Sequence, residues 1–545
     1  MNGTQSNNSG TKVLDVSMPE LLAVVEQAKS ALSADDHQKL AAAISTLGFL
    51  MEEIRNKSAS IGRLKQMLFG ASTEKTSHVL GEAKKNLTGS ATGKKEGDEK
   101  APGHGRRSAA AYTGAEKKQV KHIALQHGDC CPGCVKGKVY SLLIPKTLVR
   151  IAAMAPIGAT VWELERLRCG TCGQVYKAEA PEEVGDRKYD ETVSSMVALL
   201  RYGNGLPFNR IEKLQKGFGI PLPASTQWDL VSKASDKIEP AHEELIRQAA
   251  QGDVLHNDDT KAKILELNAE QRQAAAADDA SEKRTGIFTS GIVSKRDGKE
   301  IVLFFTGPKH AGENLADLLS QRAHELPPPI QMCDALAANT AGVFESVLAN
   351  CTSHARREFV EIFDNFPVEC RRVLETYREV YRHEATAKKE NLSDEERLRF
   401  HQENSGPLMV DLKEWIDKQF DEHKVEPNSG IGKALAYLKN HWPELTLFLH
   451  KAGAPLDNNI CERALKKSIM HRKNSLFYKT LNGARVGDIF MSLIYTAEAN
   501  GENPFDYLVA LQRHELDLLK SPADWMPWNF RQSIARIAAE KATPT

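Results

Sequence analysis

A chain of 545 residues, 41% hydrophobic and 26% charged, has the balance of a globular protein and room for about three or four folded units. No apolar run nears the ~20 residues of a membrane span, the first twenty residues lack a secretory signal pattern, and nine cysteines are too few for a disulfide scaffold, so a cytoplasmic location is expected. The formal net charge of +0 argues against a uniformly basic nucleic-acid binder, although local patches suffice for phosphate contacts.

In chain order, Ile44, Leu47, Met51, Ile54, Ile61, Leu64 and Leu68 mostly follow alternating steps of three and four. That seam predicts a helix, either as a short coiled coil or packed within the chain, ending at Gly70. Between Lys84 and Lys121, basic residues including Arg106 and Arg107 outnumber acidic ones. The stretch reads as a solvated flexible linker, or as a segment that lies along DNA.

Cys131-Pro-Gly-Cys134 and Cys169-Gly-Thr-Cys172 are two identical CxxC pairs in Gly-containing turns, the pattern by which four thiolates meet on one structural Zn²⁺. The 34 residues between them exceed the usual spacing of about 15–20. A strand over Leu148–Val161 is expected to span the gap as a hairpin. Four thiolates leave no open position, which implies folding or DNA docking rather than catalysis. Farther on, Leu206–Leu214, a Gly217/Gly219 break and Ser225–Val231 read as helix, turn, helix, with Ser225 capping the second helix. Such a pair reads DNA or merely packs on itself.

The chemistry starts at Val254-Leu-His-Asn-Asp-Asp-Thr260, an apolar strand running into two adjacent carboxylates. Neighbouring strand side chains point to opposite faces, so only one serves a given site; Asp258 is preferred. Strands over 286–293 and 301–305, joined by the Arg296-Asp-Gly-Lys299 turn, complete a three-strand meander. After a helix around Glu313–Leu319, Ile330-Gln-Met-Cys-Asp334 gives another strand ending in an acid. Glu462 then falls in the first turn of a helix capped by Asn458 or Asn459. The Asn459/Glu462 spacing also suits a capping box. Read together, two strand-end aspartates and a helical glutamate supply hard oxygen ligands for two Mg²⁺ ions about 4 Å apart.

Around and beyond these acids, the chain resembles the transposases of the insertion-sequence-66 family, in their large C-type subunit, almost end to end. The resemblance is carried by Leu68-Phe-Gly70 with Ser72 and Glu74-Lys75, by Gly103-His-Gly-Arg106, by the paired CxxC and by Gly205-Leu-Pro207. It continues in Asp258 with Thr260, Cys351-Thr-Ser-His-Ala-Arg-Arg-Glu-Phe359, Asp457-Asn-Asn459 with Glu462-Arg463, and His471-Arg-Lys-Asn474. Pro504 with Tyr507-Leu508 and Pro527-Trp-Asn529 complete it. It implies an α/β ribonuclease-H-like catalytic core with an all-helical insertion, and a DDE transposase in which Asp258, Asp334 and Glu462 hold Mg²⁺ (or Mn²⁺). Its partners would be DNA, as terminal inverted repeats and target, further copies of the chain in a homo-oligomer, and small accessory transposition proteins. Asp259 stands where a Glu is expected beside the first acid.

The 128 positions from Asp334 to Glu462 support the insertion independently, since they contain helical runs such as Glu369–Lys388 and Asp394–Phe400. Cys351 and His354 form a CxxH pair with a structural, DNA-positioning or metal role. Arg356, Arg357, Arg463, Arg472 and Lys473 are expected near DNA phosphates, as are Arg106 and Arg107. The expected organisation is a helical/coiled-coil region (1–76), a basic linker (77–110), a zinc ribbon (111–184), a helix-turn-helix-like region (185–250), the first part of the core (251–350), the helical insertion (351–454), the second part of the core with the glutamate (455–500) and a C-terminal helical element (501–545). Two alternatives are a transposase-derived, catalytically inactive zinc-ribbon DNA-binding regulator and a scaffold assembled through the N-terminal helix. Loss of one acid would favour the regulator, and none is lost.

Overall fold

The computed structural model describes residues 18–27 and scattered positions up to 41, most of 124–140, 155–168, 175–182, 187–267, and 286–542 except 343. The expected seam over 44–68, the basic stretch with Arg106 and Arg107, and Cys169 and Cys172 lie outside the described residues. The first helix, α1 (Met18–Gln27), precedes them. Among the described residues no helix is long and apolar enough to cross a membrane.

The strand expected over Leu148–Val161 is not there in its described part, 155–161. Pro156 lacks a ladder donor and Gly158 packs nothing, which disfavours a strand at that point. Instead β1 (Arg166–Arg168) and β2 (Val175–Lys177) pair antiparallel, with Arg166 opposite Lys177, and bracket the second CxxC. The first CxxC is bracketed similarly, by a bridge between Cys130 and Lys138.

Helix α2 (Glu191–Ala198) is capped by Asp190 and runs into a π-helical turn, Leu199–Gly203. Then come α3 (Phe208–Gly217), a turn at Gly219 (φ +75°) and the long α4 (Ala224–Ala249). Ser225 is not the cap of α4: that position is Pro223, which offers no side-chain acceptor. The exposed first amide is met from outside, by Glu212 of α3 accepting from Ala224 N at 3.3 Å.

Five strands form the central sheet in the order β5-β4-β3-β6-β7. They are β3 (Val254–Lys261), β4 (Phe288–Arg296), β5 (Lys299–Gly307), β6 (Ile330–Cys333) and β7 (Val347–Asn350). The meander β3-β4-β5 is antiparallel, while β6 and β7 run parallel to β3. Asp297 and Gly298 turn the β4–β5 hairpin with positive φ (51° and 73°), as a tight right-twisted hairpin requires. Between β5 and β6, α5 (Ala311–Leu319) is closed by a capping box between His310 and Glu313.

From β7 the chain enters helices α6 (Thr352–Glu361), α7 (Pro367–Lys389), α8 (Asp394–Asn404), α9 (Gly406–Asp421), α10 (Gly430–Asn440) and α11 (Trp442–Leu445). It returns through α12 (Asn459–Ser475) and α13 (Leu481–Ala499) to α14 (Pro504–Arg513), α15 (Glu515–Lys520) and α16 (Phe530–Ala542). Among the described residues two large hydrophobic cores result, beside a small cluster of Ile264, Ile287 and Ala484. One joins β3–β5 to α2, α4, α5 and α12–α16; the other joins β6 and β7 to α6, α7 and α9–α11.

The outer edge of β5 is covered by α13. Asp488, Ser492, Thr496 and Asn500, four residues apart, accept from the N–H groups of Thr306, Phe304, Val302 and Glu300 at 2.7, 3.0, 3.0 and 3.3 Å. One helical step of four rises about 6.0 Å and two strand residues about 6.8 Å, so a polar i, i+4 stripe can follow every second edge donor. An otherwise open sheet edge is thereby satisfied.

Candidate active site

Asp258 lies on β3 two positions beyond His256, which pairs with Met332 of β6. Asp334 lies two positions beyond Met332, so both acids stand at the same level of adjacent parallel strands, which run about 4.8 Å apart. The 76-residue offset of the register, Val254 to Ile330, is the offset between the acids. Asp334 is held by Leu336 N, which donates to Oδ1 at 3.2 Å, and by the Asn339 amide donating to the same oxygen.

Across the hairpin Asp258 faces Gly291 of β4. Opposite residues of an antiparallel pair project to the same face, and on that face α12 lies against Gly291. A Cβ there would meet Leu465 Cγ at 3.0 Å and Cys461 Sγ at 3.4 Å, and the Cys461 thiol donates to Gly291 O at 3.3 Å. This close approach brings the first turn of α12, with Glu462, to Asp258. Burial is the main cause that raises the Asp258 carboxyl to about 7, with the negative charges of Asp334, Asp259 and Glu462 adding to it, while the Asp259 N–H donated at 2.8 Å acts against it. The charges of Asp334, Asp259 and Glu462 thus all bear on the Asp258 carboxyl. The thiols beside them, Cys333 and Cys461, are held far above their ordinary range by burial and stay neutral.

Asp259 turns to the other face. Its Oδ2 meets His310 Nδ1 at 2.8 Å, and the neighbouring Ser290 Oγ accepts from Asn314 of α5 at 2.8 Å. No capping box forms on α12: Asn458 is the cap residue, and Glu462 Oε1 has no hydrogen-bond partner. Asn458, wholly buried, is instead a three-way clamp. Its Oδ1 lies 3.2 Å from His256 Nδ1, its Nδ2 donates to Asn257 O at 3.0 Å, and its N–H donates to Cys351 Sγ at 3.2 Å. The sequence suggested Asn458 as one of two candidate caps of α12, which it is, but gave no sign of this clamp. Asn339, Asn257 and Gln331 were missed altogether, although buried amides in strand sequences are the available signal: Asn339 O accepts from Asn257 Nδ2 and Gln331 Nε2, both at 2.7 Å.

A family model described as "Transposase IS66 family" matches residues 188–486. The chain belongs to the IS66 transposase family. Asp258, Asp334 and Glu462 all fall in the matched segment, and both CxxC pairs fall before it. Among similar proteins of Sinorhizobium fredii (strain NBRC 101917 / NGR234), "Uncharacterized protein y4jD" is 23% identical, covering 92% of this chain and 99% of its own. "Uncharacterized protein y4hP" is 23% identical over 87% of this chain and 88% of its own.

Around the acids of this IS66-family chain, Arg472 sits on α12 with Nη1 3.3 Å from Thr260 Oγ1, at the end of β3. Arg463 and Lys473 are exposed on the same helix, and Arg356 and Arg357 are half-buried on α6. Cys131 and Cys134 sit close together, and backbone N–H groups near Cys134, with the Cys131 side chain, hold its thiol below the ordinary range, although burial acts slightly against this. Gly137 N donates to Cys134 Sγ at 3.4 Å.

Proposed function

We propose that this chain is a DDE-type DNA transposase that cleaves DNA strands and joins them to a target, with a ribonuclease-H-like core. The observation that carries the reading is the convergence of Asp258, Asp334 and Glu462 from two adjacent parallel strands and a helix packed across them. The strand order, three antiparallel and two parallel, supports the core assignment. The donor set fits a hard divalent ion: carboxylate oxygens only, mutually repelling without a cation, with one glutamate oxygen unpartnered. Asp258, Asp334 and Glu462 would hold a Mg²⁺ (or Mn²⁺) pair, which would supply activation of water or a DNA 3′-hydroxyl and stabilisation of the leaving oxygen.

The chain's own residues do the rest. Asn339 and the Leu336 amide fix Asp334, the Gly291 contact fixes α12, and Asn458 ties β3 to the start of α12. Arg356, Arg357, Arg463, Arg472 and Lys473 would neutralise DNA phosphates beside the acids, with Arg106 and Arg107 doing so along the linker. Cys131, Cys134, Cys169 and Cys172 would hold a structural Zn²⁺, supported by the antiparallel brackets around both pairs. The eight-segment organisation set out from the sequence belongs to this reading, as do a homo-oligomer on DNA and accessory proteins. In the test, linear DNA carrying the element's ends is incubated with Mg²⁺ or Mn²⁺. Asp258→Asn, Asp334→Asn and Glu462→Gln are each expected to lower nicking more than about 100-fold, beyond the usual outer-shell effect, and to weaken Mn²⁺ binding while end binding persists. Wild-type protein that binds ends and never nicks would instead be the DNA-binding regulator.

A further inference from the structure

Beside the three acids lies a second donor set of different chemistry. Cys351 follows β7 and caps α6, His354 follows one turn later, and Glu462 reaches across from α12. One ligand atom from each lies within 4.8 Å of the others. His354 Nδ1 and Glu462 Oε1 stand 3.7 Å apart, too far for a hydrogen bond, and both are buried with no hydrogen-bond partner. Two such atoms facing one another across a gap are costly unless something fills it. In a tetrahedral zinc site the bond lengths of about 2.0–2.3 Å put neighbouring ligand atoms about 3.3–3.7 Å apart, so the His–Glu gap already matches and the thiol needs only a small approach. Thiolate, imidazole and carboxylate together favour zinc-class ions over Mg²⁺.

We propose that Cys351, His354 and Glu462 bind a Zn²⁺-class cation at a site adjoining the acid cluster, with a fourth position open to water or a DNA phosphate oxygen. Binding converts the Cys351 thiol to thiolate and releases its proton to solvent. The site ties α6 to α12 through Glu462, and makes that glutamate common to a soft site and the hard one. It stands on its own three ligands, whether or not the acids transfer phosphoryl groups.

The test counts zinc per chain in the full-length protein, stripped with chelator and titrated with Zn²⁺ against a chromophoric competitor. Wild type is expected to hold one zinc more than Cys351→Ala, His354→Gln or Glu462→Gln. Each variant should lose that one only, through a fall in affinity of at least about 100-fold. Because Cys351 is buried and its variant risks misfolding, His354→Gln with an unchanged circular dichroism spectrum is the deciding variant. Zinc-edge anomalous scattering from wild-type crystals should show a peak among the three side chains, apart from any at the CxxC pairs. A folded His354→Gln with wild-type zinc count and affinity overturns the proposal, as does a crystal soaked in Zn²⁺ with no peak there.

Discussion

Asp258 and Asp259 are consecutive, yet one faces the acid cluster and the other a histidine. Alternation along a strand is legible in sequence; which face carries the site is not, because the α12 contact at Gly291 decides it. The protonation of Asp258 follows from that placement. A carboxyl raised to about 7 binds a proton in the folded chain at pH values where the unfolded chain has released it, so its contribution to stability falls as pH rises from about 4 through 7. Asp258→Asn removes the repulsion and is expected to stabilise the metal-free protein by about 1–3 kcal/mol above pH 7, with little effect near pH 4. Thermal melting in chelator at pH 5 and pH 8 checks this, and adding Mg²⁺ should shrink the difference for wild type alone. Equal melting temperatures for wild type and Asp258→Asn at pH 8 would mean that the acids do not crowd.

At the scale of elements, the side chains of α13 replace a sixth strand. Ser492→Ala leaves Phe304 N–H buried without an acceptor, which should cost about 1–3 kcal/mol in a denaturant titration. Asp488→Asn should be milder at neutral pH. Burial holds that carboxyl at about 8, so it is already largely uncharged there, and an amide can still accept from Thr306 N and donate to its hydroxyl. If Ser492→Ala proves neutral and Asp488→Asn severe, the edge-capping account fails. The stripe at 488, 492, 496 and 500 was open to reading from sequence as polar positions at helical spacing, but a polar stripe usually faces water. The β4–β5 hairpin was legible because Asp-Gly dictates its turn, and α7 and α8 because runs of helix-favouring residues fall between the second and third acids. β7 was not: Val347–Asn350 is four residues whose pairing is wholly non-local. The cap of α4 was misread because its acceptor comes from another helix, α3.

Across the whole molecule, the site lies on the seam between two cores, and this bears on whether the helical insertion is a separable bead. Ile330 and Met332 of β6 and Ala349 of β7 belong to the same hydrophobic cluster as Phe359, Tyr377, Leu412 and Leu435 of α6–α10. Leu456, just ahead of α12, belongs to it too, whereas Cys461 and Leu465 of α12 belong to the other cluster. The loop carrying Asn458 therefore crosses from one core to the other, and Glu462 is placed by both. That helices lie between the two acids was legible from the 128-position offset that separates them, but their role as half of the sheet's packing was not, because periodicity shows that a helix has an apolar face without showing what covers it. Replacing residues 362–453 by a short flexible linker would strip the cover from β6 and β7, exposing side chains worth about 1.5–3 kcal/mol each when buried. The expected result is an insoluble product, or after refolding a sheet with lost amide protection in β6 and no Mn²⁺ binding. A soluble, shortened chain that still binds Mn²⁺ and nicks end DNA would show that the meander and α12 alone set the geometry of the acids.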